Sequence, residues 1–124
     1  MYNKKGFTLI EIVATLVILG ITLVSIVSLF SYGTRAMTLN KQNTIATMLL
    51  QKKYEELKST KFDNIINVSG ATYSTFPDYS IDINVQSSYG GNPFLKKVEI
   101  RITWLSNFGS NISKSILTFI SNHL

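Results

Sequence analysis

The sequence predicts an α+β fold: a long N-terminal helix, half of it apolar and half amphipathic, packed on a small three-stranded antiparallel sheet. Three observations carry this expectation. Residues 7–30 form an apolar run whose only charge is Glu11. Between Ala46 and Leu57 apolar residues recur at spacings of three and four. From Tyr79 onward the apolar period changes from about 3.6 to 2.

The chain opens on a short basic head, residues 1–6, Met-Tyr-Asn-Lys-Lys-Gly. As a helix, residues 7–30 would span about 36 Å, enough to cross a hydrocarbon core about 30 Å thick. Lys4 and Lys5 precede the run and Arg35 follows it. The positive-inside rule then keeps the N-terminus in the cytoplasm and sends the rest across a single membrane span. The run exceeds the apolar length of an ordinary secretory signal, about 7–15 residues.

The helix is expected to continue through residues 31–60, where no proline occurs and no glycine after Gly33. Ala46, Leu49, Leu50, Tyr54 and Leu57 form its apolar stripe, and Lys41, Gln42, Lys52, Glu55, Glu56 and Lys58 fill the other positions. Together the two halves make a helix of some 50 residues, roughly 80 Å long. Residues 61–124 supply a loop and the sheet. Ser69-Gly70 and Phe76-Pro77-Asp78 read as turns within an irregular 61–78. Tyr79, Ile81, Ile83 and Val85 alternate with polar residues, as do Val98, Ile100, Ile102 and Trp104. Turns at 89–93 and 107–111 join these strands to a third, 112–120, giving a meander. Its apolar face and the helix stripe cover each other.

Composition narrows the chemistry. The 124 residues suffice for one domain and contain no cysteine. Disulfides, thiolate metal sites and cysteine nucleophiles are therefore excluded. The single histidine, His123, sits in the tail and reads as solvated. Asp63, Asp78 and Asp82 follow no ordered calcium-ligand spacing, so no metal and no cofactor is expected. No paired acids, nucleophile–base set or phosphate-binding glycine loop occurs, so no enzymatic activity is expected. The formal charge of +5 is mild. Lys96, Lys97 and Arg101 are the nearest approach to a basic patch, with Glu99 among them, so nucleic acid is a possible but not a favoured partner. Trp104 continues the apolar phase of its strand and is expected in the core. With Phe94, Phe108 and Phe119 it could otherwise form a surface anchor.

The segment Lys4-Lys5-Gly6-Phe7-Thr8-Leu9-Ile10-Glu11 resembles the prepilin signal of type IV pilins and type II secretion pseudopilins. That signal is a basic leader ending in glycine, then phenylalanine, then an apolar run with glutamate at its fifth position. The similarity covers roughly residues 4–30, and the remainder fits the family only in architecture. The resemblance implies that residues 1–6 are a leader cut between Gly6 and Phe7 by a membrane prepilin peptidase. It also implies N-methylation of Phe7 and a register role for Glu11. Residues 7–30 would then be both transmembrane anchor and assembly helix. Partners implied are other pilin or pseudopilin subunits, the peptidase, a membrane assembly platform and the bilayer. The size of the sheet resembles small minor subunits at a filament tip, with an abundant shaft pilin or a DNA-binding competence pseudopilin as the alternatives. Pilus, secretion pseudopilus and DNA-uptake machine share this N-terminus. The implied route is from the cytoplasmic membrane to an extracytoplasmic filament.

Three readings of this segment keep a plainer rival. The Glu11 carboxylate could pair with the terminal amine of a neighbouring subunit, or it could answer its own helix macrodipole or its own Phe7 amine. Gly6 could be the residue that leaves the scissile peptide unobstructed, or a flexible tail residue. Thr15, Thr22, Ser25 and Ser28 could bond back to their own helix or to neighbouring helices. Many pilins carry a kinking proline in the apolar run. This chain has none, so any local unwinding would centre on Gly20.

Overall fold

The computed structural model describes residues 6–122. The order is helix α1 (Leu9–Ser59), a single 3₁₀ turn (Phe62–Asn64), β1 (Val68–Tyr73), β2 (Phe76–Gln86), a second 3₁₀ turn (Tyr89–Gly91), β3 (Leu95–Leu105) and β4 (Asn111–Ser121). Two compact units result, Met1–Thr38 and Leu39–Leu124.

In the first unit α1 packs against nothing else. Its apolar side chains are exposed on every side, from Leu9 (82%) to Phe30 (75%). It is the one helix among the described residues long and apolar enough to cross a membrane. The helix is also self-sufficient in hydrogen bonds. Thr15 donates to the Glu11 carbonyl (2.7 Å), Thr22 to Ile18 (2.7 Å), Ser25 to Ile21 (2.9 Å) and Ser28 to Val24 (2.9 Å). These four hydroxyls thus bond back to their own helix within the chain.

In the second unit the stripe on α1 lies over the sheet. Ala46, Leu49, Leu50 and Leu57 are buried, and Tyr54 is half-buried against the same cluster. They meet Tyr79, Ile81 and Ile83 of β2 and Val98, Ile100, Ile102 and Trp104 of β3. These are the alternating sets of the two strands, and pairing Ile81↔Ile102 and Ile83↔Ile100 puts them on one face. Ile100 is fully buried. Ile100→Ala is expected to cost about 2–5 kcal/mol, read as a lowered denaturation midpoint with the same slope.

The sheet has four strands, ordered β1-β2-β3-β4 and antiparallel throughout, not three. The missed strand is β1, in the stretch expected to be irregular. Its pairing with β2 shifts register on both sides of Ala71, so period-2 alternation never develops. Ser69-Gly70, expected as a turn, is a bulge inside the strand, with Gly70 at φ 66°. Asp82 on β2 fixes it by accepting hydrogen bonds from the Ser69 hydroxyl (3.1 Å) and the Gly70 amide (2.9 Å). The turn into β2 lies at Ser74-Thr75, and Phe76-Pro77-Asp78 belongs to β2 itself. Pro77 is tolerated there because pairing with β3 begins only at Tyr79.

One lysine is inside. Lys96 on β3 is only 9% exposed. Its ammonium donates to the carbonyls of Phe62 (2.6 Å) and Ile65 (3.3 Å) and lies 4.5 Å from the Phe62 ring centre. It ties the segment after α1 to the sheet and is withdrawn from any surface patch.

Tyr73 closes the other end of the helix–sheet contact. Its hydroxyl donates to Glu56 (2.9 Å), which is also paired with Lys53 (2.8 Å). The Lys53 hydrogen bond holds the Glu56 carboxyl below its usual range. Burial, then Glu56, push Tyr73 up to about 12 from 10.0. The folded state therefore holds this proton more tightly than the unfolded chain does. That stabilisation is complete below pH 10.0 and is lost as pH rises towards about 12. Tyr79, raised by burial and by Asp78, acts in the same direction. The melting temperature should fall over this window, and Tyr73→Phe should flatten the fall.

Candidate functional site: the N-terminal segment

Gly6, Phe7 and Thr8 are non-helical, and α1 starts at Leu9. Thr8 makes that boundary. Its carbonyl accepts from the amides of Glu11 (3.1 Å) and Ile12 (3.2 Å), and its hydroxyl accepts from the Glu11 amide (3.4 Å). Thr8 is therefore the N-cap, and Thr8-Leu9-Ile10-Glu11 has the Thr-x-x-Glu order of a capping box. Sequence reasoning dwelt on Glu11 and missed Thr8, although that spacing was there to be read.

The Gly6–Phe7 peptide thus lies in exposed, non-helical chain two residues ahead of the helix. A Cβ placed on Gly6 would meet nothing within 4 Å, and Phe7 is 80% exposed. Glu11 stands in the first helical turn, where a carboxylate complements the macrodipole. Among the described residues its carboxylate has no hydrogen-bond or ion-pair partner. Lys4, Lys5 and the rest of 1–5, like His123, lie outside the described residues. Gly20 sits within unbroken helix.

An exposed glycine–phenylalanine junction, a capped helix start, an acid one turn inside and an unpartnered apolar helix thus follow one another in space as they do in sequence. Residues 1–30 match a family model described as the prokaryotic N-terminal methylation motif. The chain carries this motif. The methylation motif is consistent with the type IV pilin and pseudopilin family and with a membrane-anchored protein. The match ends at residue 30, so the sheet contributes nothing to it. No curated protein and no solved structure gives a match.

The other residues singled out in the sequence separate. Trp104 is in the core at 2% exposure, whereas Phe94, Phe108 and Phe119 are at the surface. The supposed basic patch dissolves. Lys96 is buried, Arg101 is paired with Glu99 (2.8 Å), and Lys97 lies over the Tyr89 ring (5.3 Å to its centre). Asp82 serves the β1 bulge, and Asp63 lies within the first 3₁₀ turn. A groove of about 660 Å³ runs past Gln42, Asp78, Tyr79, Trp104 and Asn107. Among the described residues, the Gln42 Oε1 and Trp104 Nε1 atoms are buried without a hydrogen-bond partner.

Proposed function

We propose that the chain is a structural subunit of a type IV filament system, a minor pilin or pseudopilin that acts by assembly and performs no bond chemistry of its own. The observation that supports this most is the methylation motif at residues 1–30, set on an exposed Gly6–Phe7 junction ahead of an apolar helix that covers none of its own surface. In this reading a prepilin peptidase removes 1–6 and methylates the Phe7 amine. Residues 7–30 hold the subunit in the bilayer until a membrane platform draws it into a filament, where the same surface packs against neighbouring helices. That transfer is physically reasonable because the hydroxyls of Thr15, Thr22, Ser25 and Ser28 already donate within the helix and both surroundings are apolar. Glu11 then pairs with the Phe7 amine of an adjacent subunit and sets the axial register. The small sheet favours a tip or initiation subunit over an abundant shaft pilin. A DNA-binding competence role is weakened by the pairing of Arg101 with Glu99 and the burial of Lys96.

Intact mass and N-terminal sequencing of the protein from native membranes and from sheared surface material test this. A chain beginning at Phe7 with one added methyl group is expected, at low abundance in the sheared fraction. A chain still beginning at Met1 in both fractions would overturn the reading. High abundance would favour the shaft alternative.

A further inference from the structure

The two edges of the sheet are unlike. The β1 edge is short, twice shifted in register and bulged at Gly70, which are the usual protections against strand addition. The β4 edge is neither short, shifted nor bulged, and its one such protection is the charge of Lys114. It runs from Asn111 to Ser121 without proline or glycine and pairs with β3 from Leu105↔Asn111 to Leu95↔Ser121 without a shift. The bonds flanking this ladder fix its phase. The Asn122 amide donates to the Phe94 carbonyl (2.9 Å) and the Ser106 amide to the Ser110 carbonyl (2.8 Å). Even-numbered residues of β4 therefore bond to β3. Ser113, Ser115, Leu117 and Phe119 direct their N–H and C=O groups to the open side. Beside that row lie Ile116, Leu117 and Phe119, at 39%, 50% and 50% exposure.

Charge selects what fits there. The only charge on β4 is Lys114, whose ammonium donates to the neutral Thr47 hydroxyl (2.8 Å). On β3, Glu99 faces Leu117 but is taken by Arg101, while Lys97 faces Phe119 and lies over the Tyr89 ring. The edge thus mixes serines with exposed Ile116, Leu117 and Phe119 and has a positive margin on both faces. A second copy would bring the same positive edge, or the bulged β1 edge.

We infer that β4 is a strand-addition site for an extended partner segment that alternates apolar and polar residues and carries a carboxylate facing Lys114. Backbone bonds from Ser113, Ser115, Leu117 and Phe119 supply the affinity, and Lys114 with Lys97 supplies the selectivity.

Amide exchange of the full chain in neutral detergent micelles tests this. The probe is a synthetic peptide as long as β4, alternating valine and threonine, with one glutamate placed to face Lys114. A control peptide has lysine there. The glutamate peptide should slow exchange of the 113, 115, 117 and 119 amides by about tenfold or more, leaving the even-numbered amides unchanged. The lysine peptide should not. Ser115→Pro removes an outward donor and keeps the ladder to β3, so it should abolish the protection. Lys114→Glu, which leaves the backbone untouched, should reverse the peptide preference. Equal protection by both peptides, or no protection by either, would overturn the inference. So would odd-numbered amides already protected by the micelle alone or by concentration-dependent self-association, since lipid or a second copy would then be the occupant.

Discussion

Gly6→Trp leaves the chain uncut. Its intact mass is expected to remain that of a protein starting at Met1, without a methyl group, and the sheared fraction to contain none of it. Gly6 lies outside the helix, and a Cβ placed there meets nothing within 4 Å. On the proposed reading the effect arises in the peptidase, where a bulky group next to the scissile peptide displaces the reacting carbonyl. A misplacement of about 1 Å can cost about 100-fold in rate. Gly6→Ala should retain part of the processing. Normal maturation of the tryptophan variant would show that the junction is not where the chain is cut.

Glu11→Ala separates processing from assembly. On the proposed reading the variant is still cut after Gly6, yet falls at least tenfold in sheared filaments or loses its methyl group. A carboxylate in the bilayer interior costs roughly 2.5–3.5 kcal/mol, which a structural protein would shed unless something compensates. Thr8 already caps the helix with its own hydroxyl and carbonyl, so the helix start survives without the Glu11 side chain. That leaves the carboxylate for a positive charge supplied from elsewhere, and the terminal amine of an adjacent subunit is the candidate. Glu11→Gln separates charge from shape and should fail as alanine does. If Glu11→Ala enters filaments like the parent, the carboxylate serves only its own helix.

The sequence by itself determined the N-terminal segment, because its chemistry is local. The basic head, the Gly6–Phe7 junction, Glu11 and the apolar run lie within thirty consecutive residues, and the match to the methylation motif covers those same residues. The helix stripe and the inward sets of β2 and β3 were equally legible, since their burial follows a period that one strand or one helix shows alone. What only the tertiary structure decided depends on partners distant in the chain. Strand β1 exists because Asp82 and the β2 ladder hold a bulged segment whose own pattern argues for a loop. Lys96 is buried because two carbonyls from the segment after α1 converge on it, although a lysine between strand residues reads as surface. The Ser and Thr hydroxyls of the apolar run had two possible partners, and within the single chain they donate to the carbonyl one turn back. The difference between a guarded and an open sheet edge required the register of all four strands, a property of the assembled sheet that no single segment carries.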